Sequence, residues 1–133
     1  MDAPGPLAAI KTAEYFIEGL NHALASGETS IVEELAADEC EPCAKLVDGI
    51  STLYSGDEWQ EGGQITFADA GVPENYADLD QLPVQFNVVQ SASVSVDANG
   101  VRTPGGNGRK YVMQVVVEWQ SDRWQVVNVL DAK

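Results

Sequence analysis

Basic residues are scarce in this sequence. Seven lysines and arginines stand against 21 aspartates and glutamates among 133 residues, a formal charge of −14 at pH 7. That balance excludes the electrostatic footprint of a nucleic-acid binder and disfavours adhesion to an anionic membrane surface. The deficit is uneven, with 13 acids and 2 bases in residues 1–62 but 8 and 5 in residues 63–133. Histidine occurs once and cysteine twice, which leaves too few ligands for an ordinary zinc site. No apolar run approaches the roughly 20 residues of a membrane-spanning helix. Gly62-Gly63 is no phosphate loop, because the G-x-x-x-x-G-K-S/T pattern is missing, and no G-x-S-x-G nucleophile turn is present. The expectation is a protein with no metal, no cofactor and no catalytic residue legible in its motifs.

What is present suffices for one domain. Apolar residues make up 44% of the chain, enough to bury a single core at this length. Met1-Asp-Ala-Pro-Gly-Pro6 lacks the basic and apolar regions of a signal peptide. Residues 1–7 read as a disordered, trimmed edge whose export signal or lipid-bearing cysteine lay upstream, and residues 8–133 as a single α+β domain.

Three helices come first. Ile10, Ala13, Ile17, Leu20 and Leu24 recur at helical steps, with Phe16 and Ala23 widening the stripe and Gly27 closing it. Ser30 and Glu33 have the spacing of a capping box ahead of Leu35. A third helix is predicted from Pro42 to about Ser55, burying Leu46, Ile50 and Leu53. After residue 62 the period falls to two. Gln64–Ala68 reads as a short strand. Val84, Phe86, Val88, Ala92, Val94 and Val96 alternate with polar residues over thirteen positions. At about 3.4 Å per residue so long a strand should bend or bulge, near Gln90, the one polar residue on its apolar face. Then Tyr111, Met113, Val115, Val117 and Trp119 face one way, and Trp124, Val126 and Leu130 line the last strand, with Ser121-Asp122 at the turn. The layout predicts three helices packed on a curved antiparallel sheet of about four strands.

The closing hairpin, Val115-Val-Val-Glu-Trp-Gln-Ser-Asp-Arg-Trp-Gln-Val-Val-Asn-Val129, resembles the last hairpin of nuclear-transport-factor-two-like, cone-shaped α+β domains. The whole chain resembles a family of actinobacterial lipoproteins of unknown function. The residues that carry this are Phe16-Ile-Glu-Gly-Leu-Asn-His-Ala-Leu-Ala-Ser-Gly27, the pair in Cys40-Glu-Pro-Cys43, Leu53-Tyr-Ser-Gly56 and the strand-rich tail. The resemblance implies an exported, cell-surface, lipid-anchored cone and no particular activity. Enzymes built on this cone place an Asp–His or Tyr–Asp pair in the pocket. Here the only histidine, His22, falls opposite the apolar stripe beside Lys11, Tyr15 and Glu18, and reads as a solvated side chain.

Cys40 and Cys43 carry two readings. A thiol–disulfide exchange site is one, since thioredoxins also use C-x-P-C and a helix N-terminus lowers a thiol pKa. A structural disulfide is the other, favoured because a helix rather than a strand precedes the pair and Glu39 and Glu41 disfavour a thiolate. Asp69, Glu74, Asp78 and Asp80 could gather calcium, as could Asp97 and Asn99, but neither set has a calcium loop's spacing, so a solvated acidic loop is expected. The aromatics Trp59, Tyr76, Phe86, Tyr111, Trp119 and Trp124 either line a small-molecule cleft or fill the core. Trp59 lies in a polar, glycine-rich link, where exposure would mark a contact surface. Gln90 and Asn128 are the polar residues expected on the inner strand faces, and two neutral amides favour binding over catalysis. The leading expectation is a non-enzymatic extracytoplasmic lipoprotein domain serving binding or envelope-associated interaction, with an unidentified protein or small-molecule partner. A cone pocket and a redox pair are the alternatives. A homodimer through the outer sheet face, which mixes Val112 and Val116 with Lys110, Gln114 and Glu118, stays open.

Overall fold

The computed structural model describes residues 6–76, 79–120 and 122–132. Helix α1 (Pro6–Ser26) follows the apolar stripe and buries Ala9, Ala13, Phe16, Ile17, Leu20 and Ala23. Pro6 opens it, where the missing N–H has no intrahelical acceptor to lose. Pro6 and Leu7 are therefore helical, two residues into the segment assigned to the edge. Gly27 ends α1 at φ +81°, its N–H on the Ala23 carbonyl at 2.7 Å. A Cβ there would lie 2.6 Å from the Tyr54 ring, so conformation and space both demand glycine.

Helix α2 (Ser30–Leu35) starts without the expected box. Thr29 is its N-cap, and the Thr29 hydroxyl donates to the Glu33 carboxylate at 2.8 Å instead of capping the backbone. Helix α3 (Glu41–Leu53) begins one residue before Pro42 and ends two before Ser55. Its N-cap is Cys40, whose sulfur accepts from the Cys43 N–H at 3.2 Å.

Among the described residues seven strands follow rather than about four. They are β1 (Trp59–Gly62), β2 (Ile65–Gly71), β3 (Gln81–Gln90), β4 (Ser93–Val96), β5 (Arg102–Pro104), β6 (Arg109–Gln120) and β7 (Arg123–Ala132). They form two antiparallel sheets, a large one in the order β2-β3-β6-β7 and a small one in the order β1-β4-β5. The thirteen-position alternation is thus two strands in two sheets, parting just after Gln90. Gly62 and Gly63, at φ +76° and +71°, turn the chain between β1 and β2 on the other side of the same break. The acidic stretch is partly strand: Asp69 lies in β2 and accepts a hydrogen bond from Asn87 at 2.9 Å. Asp78 and Ser121 lie outside the described residues, while Glu74 and Asp80 are exposed.

Helix α1 crosses the inner face of the large sheet and touches all four of its strands, while α3 lies against β7. Phe16 and Ile17 pack there on Val84, Phe86, Val115, Val117 and Val126. Each outer strand of the large sheet is met by a neighbouring segment at one residue. On β2, the Asn21 side chain takes the place of a neighbouring strand, donating to the Ile65 carbonyl at 2.8 Å and accepting from the Ile65 N–H at 2.7 Å. On β7, Ala36 bridges Val126, and the Ala37 N–H donates to the Val126 carbonyl at 2.8 Å.

β7 also carries a bulge. Val126 pairs with Val117 but Asn128 pairs with Val116, so Val127 is the extra residue, packed with Ala37 and Val116 in a small second cluster. Before the bulge the even-numbered Trp124 and Val126 face inward. After it the odd-numbered Val129 and Asp131 do.

Candidate functional site

A cavity of about 210 Å³ lies between α1, α3 and the end of the large sheet where β3 stops, β6 starts and β7 finishes. Leu20 and Leu24 come from α1, Leu46 and Ile50 from α3, and Ile65, Met113 and Val129 from the sheet. These apolar walls follow from the stripes that built the elements. The polar residues at the cavity are Gln90, Arg109, Tyr111 and Asp131.

The strand register brings those four side chains together. Gln90 pairs with Arg109 across β3 and β6, and Asp131 on β7 pairs with Met113. Arg109, Tyr111 and Met113 occupy alternate positions on β6 and share one face. The Arg109 guanidinium donates to the Asp131 carboxylate at 2.8 Å and sits 4.0 Å over the Tyr111 ring. The Tyr111 hydroxyl donates to Gln90 Oε1 at 3.4 Å, and Gln90 Nε2 donates to the Gly63 carbonyl at 3.0 Å. The hydrogen bond that Arg109 donates to Asp131 holds the Arg109 proton more firmly than usual. Burial pushes the Tyr111 hydroxyl above its ordinary value, with the Asp131 charge adding and Arg109 opposing. The result is a neutral pair of opposite charges beside a phenol that keeps its proton. Those groups can position and hydrogen-bond a ligand.

Two other concavities are less suited to enclosing a molecule. A groove of about 540 Å³ runs over the outer face of β2, β3 and β6, including Thr66, Asn87, Val89 and Lys110, and is walled by the sheet alone. A dent of about 340 Å³ lies beside the cysteine pair and is edged by Glu33, Asp38 and Asp48. Among the described residues no three His, Cys, Asp or Glu side chains gather as a metal site would need, and no helix is long and apolar enough to cross a membrane.

Of the residues singled out in the sequence, the cavity brings together Gln90 and Tyr111. Phe86 is fully buried in the core, edge-on to Phe67 at 5.4 Å. Trp119 and Trp124 form their own edge-on pair at 5.6 Å next to the β6–β7 turn, at the opposite end of the sheet. Asn128 requires a correction: the bulge turns it off the inner row, its Oδ1 accepts from the Val129 N–H at 2.9 Å, and Leu130 is 45% exposed for the same reason. Trp59 stands 40% exposed on the small sheet, its indole N–H on Glu61 at 3.5 Å, and Arg102 bonds that carboxylate and lowers its pKa. Tyr76 is 40% exposed and away from the cavity. His22 is exposed and pairs with Glu28 at 3.0 Å. Cys40 and Cys43 are bonded to each other, with Cα atoms 5.3 Å apart, and are 2% and 1% exposed. Sequence reasoning missed Arg109 and Asp131. Arg109 was within reach, two positions before Tyr111 in the same alternation, whereas Asp131 becomes visible only once the bulge is counted.

One family model matches residues 5–130, described as a family of unknown function, DUF6318. The chain belongs to the DUF6318 family. No curated protein matches this DUF6318 chain. Among solved structures, it is similar to the intermembrane space region of the chloroplast protein ARC6, with a TM-score of 0.69 at 11% identity over 98% of each chain. It is also similar to Aln2 from a Streptomyces species, with a TM-score of 0.55 at 9% identity over 99% of this chain and 94% of that one. A variant of the protein Rd1NTF2_05 superposes with a TM-score of 0.52 at 11% identity, over 92% of this chain and 97% of the other. At such identities the likenesses show the fold alone. The DUF6318 chain has an α+β, NTF2-like architecture of three helices and two antiparallel sheets.

Proposed function

We propose that this DUF6318 chain is a non-enzymatic binding domain of an exported, lipid-anchored protein, and that it takes a small, mainly apolar molecule into the cavity between α1, α3 and the large sheet. The supporting observation is the composition of that cavity: seven apolar side chains from two helices and three strands, with polar groups gathered at one place. Ligand sites commonly have this character, an apolar body with a few polar groups that fix orientation. Tyr111 and Asp131 do stand at the cavity, but Asp131 is paired with Arg109 and the Tyr111 hydroxyl with Gln90, which favours retention over turnover. The resemblance to lipoproteins supports the placement outside the cytoplasm. So does a disulfide as the only use of cysteine, since such bonds persist in oxidising compartments.

Titration with 1-hexanol, followed by methyl NMR, tests the binding reading. Shifts should concentrate on Leu20, Ile50, Met113 and Val129 and vanish in Leu46→Trp, which fills the space from α3. Absence of shifts, or equal shifts in the filled variant, would overturn it. Thiol trapping in freshly opened cells tests the compartment. An oxidised Cys40–Cys43 pair is expected, and two alkylated thiols in the native protein would sink the exported assignment.

A further inference from the structure

Granted that the cavity binds a small molecule as proposed above, we infer that it selects a neutral ligand whose polar end both donates and accepts hydrogen bonds, such as a primary amide, over a carboxylate or an ammonium on the same apolar tail. Arg109 and Asp131 stand 2.8 Å apart, and both are about half exposed, at 51% and 48%. Their one mutual bond uses Nη2 and Oδ2, and the guanidinium otherwise meets Tyr111, so among the described residues Asp131 Oδ1 and part of the guanidinium are left without a side-chain partner. A donor and an acceptor thus face the same end of the cavity with their charges compensated. Gln90 is already committed at both amide atoms, to Gly63 and Tyr111, and serves as wall rather than reader.

Charge then decides among ligand ends. A carboxylate drawn to Arg109 comes up against Asp131, in a chain that carries −14 overall. An ammonium drawn to Asp131 comes up against Arg109. Either ion must also shed water beside apolar walls, which disfavours it unless a partner is free to pair with it. An amide sheds less, and its N–H and C=O match Oδ1 and the guanidinium at once.

The experiment compares hexanamide, hexanoate and hexylammonium by NMR titration at pH 7. Hexanamide should bind more tightly than either ion by about three- to tenfold, the worth of roughly one net hydrogen bond. Asp131→Asn uncovers the Arg109 charge, so hexanoate should become the preferred probe. Arg109→Gln uncovers Asp131, so hexylammonium should. Because both side chains are half exposed, the variants are expected to fold, and unchanged urea midpoints check this. If either ion equals or exceeds the amide in the wild type, or if the order does not change in the variants, the head-group assignment fails while the binding reading stands. If none of the three shifts the cavity methyls, the binding reading fails and the head-group assignment falls with it.

Discussion

Tyr111 is the one described tyrosine at the cavity, and its surroundings set the alkaline limit of its contribution to stability. Burial first, and the Asp131 charge second, raise its pKa above the ordinary value of 10.0. The native state therefore holds that proton more tightly than the unfolded chain does. Its contribution is complete below the unfolded value and is lost as pH rises through the higher native one. Urea midpoints measured between about pH 9 and 11 should fall more steeply in the wild type than in Tyr111→Phe. An identical slope in both would place the loss elsewhere. At this scale the sequence showed Gln90 and Tyr111 because each interrupts or extends an alternating apolar row. Arg109 continues the Tyr111 row by one more step, but an arginine at the start of a strand is ordinarily read as a solvated end. Its contacts with Asp131 and the Tyr111 ring depend on the strand pairing and on the bulge that turns Asp131 inward.

Helices and strands are joined here by a few side chains that behave as backbone. Asn21 on α1 satisfies both the N–H and the C=O of Ile65, and Ile65 is only 7% exposed. Asn21→Ala should lower stability by about 2 kcal/mol, since two hydrogen bonds go and the groups left on a buried residue are poorly hydrated. Asn21→Asp should be no better, because it sets a carboxylate against the Ile65 carbonyl. Urea denaturation of both variants checks this, and a loss below about 0.5 kcal/mol, the scale of an ordinary surface change, would show the clamp to be dispensable. The end of α1 and both ends of α3 were legible to within two residues, since apolar spacing and the Gly27 and Pro42 positions mark them locally. β7 was not. A single-frame period of two assigns Asn128 and Leu130 inward, whereas the extra residue Val127 hands the inner face to Val129 and Asp131. A bulge has no fixed residue signature, and this one is held by the Ala37 N–H arriving from the link between α2 and α3.

For the whole molecule, alternation and helical spacing were enough to give the α+β class and the order of helices before strands. The division into two sheets was hidden. β3 and β4 form one continuous alternation in the sequence, and the residues that separate them, Gly62 and Gly63, lie about thirty positions earlier. A Cβ at Gly62 would overlap the Ala92 carbonyl, so the two crossing segments pass one another at backbone distance. That separation leaves the mouth between α1, α3 and the large sheet free of strand and available as a cavity.

The contacts made at Ile65 and Val126, on the outer strands of the large sheet, bear on a different property. A second chain can extend a sheet only where a strand offers a free ladder. At Ile65 that ladder is occupied by Asn21, and at Val126 by Ala37. Recruitment at either place would first require α1 or the α2–α3 link to lift away, which ties colloidal behaviour to local opening of the helices. Strand addition at those two places should thus respond to conditions that loosen the helical layer rather than to those that merely crowd the molecules.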